Sequence, residues 1–418
     1  MKPNLWLLLA VACPLGAQPA AEEWRAYGHD AGGNRYSPLK QINRENVAKL
    51  KRAWTFSIGE PDRPHQDGGS PAAFECTPLV VDGVMYITTP SSRVIAVDPE
   101  TGRKLWAFDP EATHEGKRAY LQHRGVSFWQ SPDGREKRIV YGTSDGRLIS
   151  LDAQTGKPAP EFGKEGTVDL RAGVADRWPK ASYGVSSPPA IYRNLAITGA
   201  RIVSPRGGLG PSGEVRAFDI RTGKQVWTFH TIPRPGEAGH ETWDGDFWKD
   251  RSGANAWSVL SVDAERGLVF APTAQPLGSP RGGGANLYAN SLIALEAATG
   301  KRRWHFQMVH HDTWDYDAPA QPNLVIVNHE GRNIDGVAQV TKMGLLFLLD
   351  RETGKPLFPV EERPMPRPRT PGVFTWPTQP IPVKPPPLAR TTMTREEISK
   401  VTPESNKECT ALFDSARY

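Results

Sequence analysis

Val97-Asp98-Pro99-Glu100-Thr101-Gly102-Arg103-Lys104-Leu105-Trp106 joins the end of an apolar strand, a turn and a strand that carries an indole. The same unit returns as Leu151-Asp152-Ala153-Gln154-Thr155-Gly156-Lys157 and as Phe218-Asp219-Ile220-Arg221-Thr222-Gly223-Lys224-Gln225-Val226-Trp227. Two further copies are Leu295-Glu296-Ala297-Ala298-Thr299-Gly300-Lys301-Arg302-Arg303-Trp304 and Leu349-Asp350-Arg351-Glu352-Thr353-Gly354-Lys355. The turn glycines stand 54 to 77 residues apart. Glycine accepts the left-handed backbone that such a reversal needs, and alternating apolar residues on either side mark the strands of a hairpin. More short strands precede the turns, for example Pro78-Leu79-Val80-Val81 and Val84-Met85-Tyr86-Ile87 around Asp82-Gly83. A repeat of this length built from about four strands predicts an all-β chain, a β-propeller of four-stranded blades.

Composition agrees with one large β domain or two ordinary ones: 418 residues, 40 Gly, 39 Pro and 13 Trp, with 38 % hydrophobic residues. The 51 basic and 46 acidic residues alternate in sign along the chain, with no dense Lys/Arg run of the kind that tracks phosphates. Nucleic acid is therefore excluded as a partner. Met1 to Ala21, with Lys2, an apolar run from Leu5 to Ala12 and small residues after it, reads as an export signal peptide. That implies a periplasmic location, with Cys13 as a minor lipid-attachment option. After processing only Cys76 and Cys409 remain, too few for a disulfide scaffold. Residues 22–418 form the propeller domain, with a proline-rich loop over 361–389 that cannot supply central strands. Helical patterning is confined to Arg44 to Leu50 and Arg395 to Lys400.

The chemistry concentrates in His310-His311-Asp312-Thr313-Trp314-Asp315-Tyr316-Asp317. If Asp315-Tyr316-Asp317 is extended, the carboxylates of Asp315 and Asp317 face one space, and they repel unless a cation lies between them. The bland alternative is a polar turn with solvated acids. Of the two adjacent histidines, one belongs in the core and one on the funnel wall. Thr242-Trp243-Asp244-Gly245-Asp246 imitates this stretch, but no Thr-Gly turn precedes it closely, and it reads as a structural loop.

Two groups of residues resemble the pyrroloquinoline quinone-dependent dehydrogenases. The segment Glu23-Trp24-Arg25-Ala26-Tyr27-Gly28-His29-Asp30, continued by Asn34-Arg35-Tyr36-Ser37-Pro38 and Ile42-Asn43-Arg44-Glu45-Asn46-Val47, is similar to that family's opening signature. The Asp-x-x-Thr-Gly-x-x-x-Trp units resemble its tryptophan-docking motifs. His310 to Asp315, followed by Ala318-Pro319-Ala320-Gln321-Pro322, looks closest to the membrane glucose dehydrogenase branch. The resemblance implies an eight-bladed propeller, of which this chain holds about five to six blades. It implies a truncated C-terminus, and Trp54 as part of the last blade.

The resemblance further implies a sugar or alcohol substrate, bound pyrroloquinoline quinone, and a Ca2+ ion, with a lanthanide or Mg2+ as alternatives. The electron acceptor would be ubiquinone or a cytochrome c. Asp315 matches the catalytic base and Lys342 the cation beside the quinone oxygens. Asp317 matches an extra acid at the metal, with Gln275 as a further ligand. Glu75, Arg124 and Thr143 match polar contacts around the ring, and Trp257 the indole floor beneath it. Taken singly, without the resemblance, Lys342 reads as a strand-edge lysine, Arg124 as a surface ion pair and Thr143 as a turn hydroxyl. Ser204 stands where the family has a stronger metal ligand. No adjacent-cysteine pair covers the quinone, which leaves His123 or Tyr120 as the lid. The competing readings are a non-catalytic propeller scaffold and an inactive remnant.

Overall fold

A computed structural model describes residues 23–60, 73–203, 207–278, 282–368 and 370–415. The expected signal peptide and Ser204 lie outside the described residues. Among those residues, five antiparallel sheets follow one another along the chain. The first blade is Leu79–Val81, Val84–Thr88, Val94–Val97 and Lys104–Phe108; the second is Ser127–Gln130, Lys137–Gly142, Arg147–Asp152 and Thr167–Asp169. The third holds Ala190–Tyr192, Leu195–Thr198, Val215–Asp219 and Gln225–Phe229, and the fourth Ser261–Asp263, Leu268–Pro272, Ser291–Glu296 and Arg302–Gln307. The fifth has three strands, Asn323–His329, Arg332–Val340 and Leu346–Asp350. The first strands of successive blades lie against one another in chain order, so they surround a common axis. The β-propeller is therefore as expected.

Each local device has a visible cause. Val81 pairs with Val84 across Asp82-Gly83, whose φ values of 51° and 74° make the tight mirror-type hairpin turn. In the four Thr-Gly turns led by aspartate, the leading acid folds back on its own backbone. Asp219 Oδ1 accepts the N–H groups of Arg221 (3.1 Å) and Thr222 (2.8 Å), and Asp350 Oδ1 does the same for Glu352 and Thr353. Gly102, Gly156, Gly223, Gly300 and Gly354 all have φ of 71–73°.

The indole of one blade docks on the turn of the next. Trp106 Nε1 donates to Ala153 O (3.2 Å), Trp227 to Ala297 O (3.0 Å) and Trp304 to Arg351 O (3.1 Å). In each case the ring lies flat over the turn glycine, where a Cβ would come within 2.4–2.5 Å of it. Gly223 is the exception: it meets Gly163 and Val168, because the last strand of the second blade, Thr167–Asp169, carries no tryptophan. Trp54 makes the same dock onto the first blade, donating to Pro99 O at 3.1 Å with its ring over Gly102. The residues around Trp54 are not in a strand.

The core is a series of apolar seams between neighbouring blades. Val140, Leu148 and Tyr183 pack with Ala196 and Phe218 between the second and third, and Ile197, Val215 and Trp227 with Val269 and Ile293 between the third and fourth. Phe270 and Leu292 meet Phe347 and Leu349 in the next seam. The opening signature spans the axis. Trp24 pairs with Val80 of the first blade, Ala31 O accepts Val262 N (2.8 Å) of the fourth, and Gly32 O accepts Leu324 N (2.8 Å) of the fifth.

Two local expectations change. The stretch 361–389 is not all loop: Val360–Pro364 pairs with Thr378–Pro382 in a two-stranded ribbon outside the blades. Proline is tolerated there because the ribbon has free edges where its missing N–H is not needed. Helix also extends beyond the expected turns. Val47–Lys49 and Arg395–Glu397 are single 3-10 turns, while Pro403–Ser415 is an α-helix, with Thr402 Oγ1 accepting Ser405 N at 3.1 Å and proline in the first turn.

Candidate functional site

Connections at one end of the blades converge on a cavity of about 410 Å3. Its wall holds Glu75, ahead of the first blade, and Arg124, ahead of the second. Trp257 enters ahead of the fourth blade, and Asp315 and Asp317 from the link between the fourth and fifth. Arg124 Nη2 lies 2.9 Å from Glu75 Oε2, and its guanidinium stacks 5.1 Å from the Trp257 ring centre. The Trp257 backbone is held by Ser187 Oγ, which donates to its carbonyl at 2.7 Å.

The acids form a bonded cluster. Asp317 Oδ1 accepts Gln275 N (2.9 Å) and Oδ2 accepts Trp257 Nε1 (3.1 Å). Asp315 Oδ1 accepts Gln275 Nε2 (2.6 Å), and Lys342 Nζ donates to Asp315 O (2.9 Å) and Oδ2 (3.2 Å). The same ammonium is 3.5 Å from Asp317 Oδ2. The cation that two close acids require is thus Lys342. It sits in the turn Thr341-Lys342-Met343-Gly344 between two strands of the fifth blade, closed by Thr341 N to Leu345 O (3.0 Å). Burial first, then the charge of Asp315, raises the Asp317 carboxyl above the ordinary carboxylate range; Gln275 N–H, Lys342 and Trp257 oppose the shift.

The acids do not converge through an extended strand. Asp315 has φ of +66° and His311 of +47°, so the chain is coiled there. The cause is Asp312, 1 % exposed, which sequence reasoning passed over. Its Oδ1 accepts Trp314 N (2.7 Å), and its Oδ2 accepts Tyr316 N (2.7 Å) and Asn290 Nδ2 (2.9 Å). Asn290 Nδ2 also reaches Tyr316 O at 3.0 Å. An aspartate that gathers later backbone N–H groups winds the chain into a turn, and that turn presents Asp315. The sequence signal was present: an acid two and four residues ahead of the N–H groups it binds.

Several expected positions lie elsewhere. The Thr143 hydroxyl is buried and donates to Asp145 while accepting Arg147 N (2.9 Å), so it closes a blade turn away from the cavity lining. His123 is core, not lid: Gly125 N donates to its Nδ1 (3.3 Å), so Nε2 carries the proton and meets Gly142 O (2.7 Å). Burial pushes its pKa down to about 4. His311 is core, beside Gly284 O at 2.8 Å, whereas His310 faces the proline-rich ribbon and not the cavity. Gln379 on that ribbon grips the His310 backbone twice, donating to its carbonyl (2.7 Å) and accepting its N–H (2.8 Å). The look-alike Thr242-Trp243-Asp244 is a structural loop, with Trp243 buried against Ile232, Ala254 and Ala289. Arg201, unnoticed in the sequence, is on the cavity wall.

The cavity fits a flat, acid-bearing quinone in its indole, its stacked guanidinium and its ordered polar rim. Gln275, Asp315 and Asp317 are oxygen-bearing side chains of the type a hard cation takes, provided the Gln275 amide turns its oxygen inward. Amide orientation follows the partners present, and here the NH2 faces Asp315. Among the described residues no three His, Cys, Asp or Glu side chains form a metal cluster.

The family described as glucose/ethanol/alcohol dehydrogenase, beta-propeller domain, of the pyrroloquinoline quinone proteins matches residues 24–418. Quinoprotein glucose dehydrogenase A of Acinetobacter calcoaceticus is 34 % identical over 391 residues, 87 % of this chain and 48 % of that protein. The quinate/shikimate dehydrogenase (quinone) of Acinetobacter baylyi is 34 % identical over 420 residues, 94 % of this chain and 51 % of that one. Among solved structures, the quinohemoprotein alcohol dehydrogenase ADHIIG of Pseudomonas putida HK5 superposes with a TM-score of 0.69 at 30 % identity, covering 87 % of this chain and 51 % of that one. The chain thus spans about half the length of the relatives it matches. The sequence repeats, the bladed fold and these likenesses agree: the chain belongs to the β-propeller family of pyrroloquinoline quinone-dependent glucose, ethanol and alcohol dehydrogenases.

Proposed function

We propose that this chain forms the substrate-oxidising part of an exported quinoprotein dehydrogenase acting on a hydroxyl group of a sugar or alcohol. When bound, pyrroloquinoline quinone supplies the two-electron acceptor for the hydride that leaves the substrate carbon. Trp257 and Arg124 would hold it, the indole by stacking and the guanidinium by pairing with a ring carboxylate. Gln275, Asp315 and Asp317 would hold the metal, Ca2+ in the first instance. The observation that carries the proposal is Asp315, a carboxylate on the cavity wall with one oxygen bonded to Lys342 and the other to Gln275.

Lys342 and Gln275 both donate to the Asp315 carboxylate and hold it in place on the cavity wall. Asp315 would remove the proton from the substrate hydroxyl as the carbon gives up hydride. Lys342 would steady the negative charge that develops at the acceptor oxygens. Asp317, raised by its burial, stays beneath the cluster as a hydrogen-bonded support. Electrons would then pass to ubiquinone or a cytochrome c, and an N-terminal signal would place the protein in the periplasm.

The test is Asp315→Asn in the purified protein supplied with quinone and Ca2+, followed with an artificial dye and an aldose or alcohol. Turnover should fall by about 10²–10⁴-fold, the usual contribution of a general base, while quinone binding stays intact. Full activity in that variant would remove Asp315 from the chemistry.

A further inference from the structure

Charges on the cavity wall fall in two groups, with Glu75 lying beside the arginines. Asp315 and Asp317 enter from the link between the fourth and fifth blades, whereas Arg124 and Arg201 enter around the second and third. The two guanidiniums are not equivalent. Arg124 is compensated by Glu75 at 2.9 Å and lies against Trp257. Arg201 begins the short strand Arg201–Val203, pairs through its backbone with Gly184, and is half-buried. Among the described residues no carboxylate lies within ion-pair distance of Arg201. Burial and the like charge of Arg124 both lower its pKa, the mark of a cation held where water serves it poorly. A fold that keeps such a group on a cavity wall recovers the cost when an anion enters.

We propose that Arg201 joins Arg124 in a two-arginine clamp for a ligand carboxylate, with the ligand lying over Trp257 and its opposite end at Asp315. Arg201 supplies a charge that no carboxylate among the described residues pairs, and its planar fork suits a carboxylate better than an ammonium would. The inference rests on the dehydrogenase proposal above, and the carboxylate has two sources there. It belongs either to the quinone or to a substrate that carries an acid beside its hydroxyl. A clamp of this kind makes the site selective for ligands with an anionic end about a ring's width from the reacting group.

The purified full chain is titrated with pyrroloquinoline quinone alone, read by quenching of indole fluorescence and by the quinone absorbance, for wild type, Arg201→Gln and Arg201→Lys. Loss of one charge-assisted bond weakens binding by roughly 10–150-fold, so Arg201→Gln should bind the quinone at least tenfold more weakly, with Arg201→Lys between the two. In a second measurement that needs no variant, the quinone trimethyl ester should bind wild type at least tenfold more weakly than the free acid. If quinone and ester bind alike and Arg201→Gln instead raises KM tenfold for a hydroxy acid but not for a neutral polyol, the clamp holds the substrate's carboxylate. If quinone affinity and both KM values stay within twofold of wild type, the clamp does not exist. Wild type that binds no quinone at all overturns the dehydrogenase proposal and the clamp with it.

Discussion

Replacing Gly300 by alanine should destabilise the protein more than replacing Gly83, although both glycines have nearly the same backbone. Their φ values are 72° and 74°, so each alanine bears a similar left-handed penalty, about 1–2 kcal/mol. Their surroundings differ. A Cβ at Gly83 meets nothing within 4 Å, while one at Gly300 lies 2.5 Å from Trp227 Cε3 and 2.6 Å from Cδ2. The indole cannot withdraw freely, because Nε1 is bonded to Ala297 O at 3.0 Å and the ring is buried between the third and fourth blades. Overpacking of this kind costs a further 1–3 kcal/mol or so. Gly83→Ala should therefore cost about 1–2 kcal/mol, and Gly300→Ala about 2–5 kcal/mol. Urea midpoints at constant slope measure the difference directly. Equal midpoints would mean that the docked indole is not what joins one blade to the next.

Asp312→Ala removes a buried acceptor from three donors, the N–H groups of Trp314 and Tyr316 and the Asn290 amide, each costing about 1–3 kcal/mol when left unpaired. Turnover should fall at least tenfold through misplacement of Asp315, with quinone affinity within a few-fold of wild type; unchanged turnover would show that the loop keeps its shape without Asp312. His123 gives a pH signature. Its folded pKa of about 4 lies below the ordinary 6.5, so the unfolded chain binds the extra proton first. Its contribution is complete above pH 6.5 and is lost as pH falls towards 4, about 3 kcal/mol in all. Urea midpoints at pH 7.5 and 4.5 should fall less on acidification for His123→Gln than for wild type, and identical pH slopes would sink the assignment.

The fold was legible because its signals are local and repeated. An Asp/Glu-x-x-Thr-Gly turn fixes its own geometry through hydrogen bonds only two or three residues long, as Asp219 and Asp350 show. Where an indole follows the turn, as with Trp106, Trp227 and Trp304, it docks on the next turn. Where the sequence lacked the tryptophan, after Gly156, the structure substitutes Val168 against Gly223. The ribbon Val360–Pro364 with Thr378–Pro382 was hidden because its proline content argues against a ladder, and edge pairing escapes that argument. The Pro403–Ser415 helix was hidden for the opposite reason: it buries no residue, so it has no apolar face to read.

The site divides along the same physical line. Asp315, Asp317, Gln275, Lys342, Trp257, Arg124 and Glu75 come together, because each stands at a fixed offset from a strand whose register the repeats determine. Thr143 stands at such an offset too, yet its hydroxyl is bonded to its near neighbours Asp145 and Arg147, and it does not line the cavity. Period-two reasoning placed the two acids on one face, and they do share a space, but by another route. Asp312 coils the backbone, Asp315 adopts a positive φ, and Lys342 brings the neutralising charge from the fifth blade. Arg201 shows what spacing cannot reveal. An arginine in Thr198-Gly199-Ala200-Arg201 looks like any surface cation until the fold half-buries it on the cavity wall, with no carboxylate at ion-pair distance among the described residues. Its meaning depends on what surrounds it on the cavity wall, which spacing along the chain does not encode.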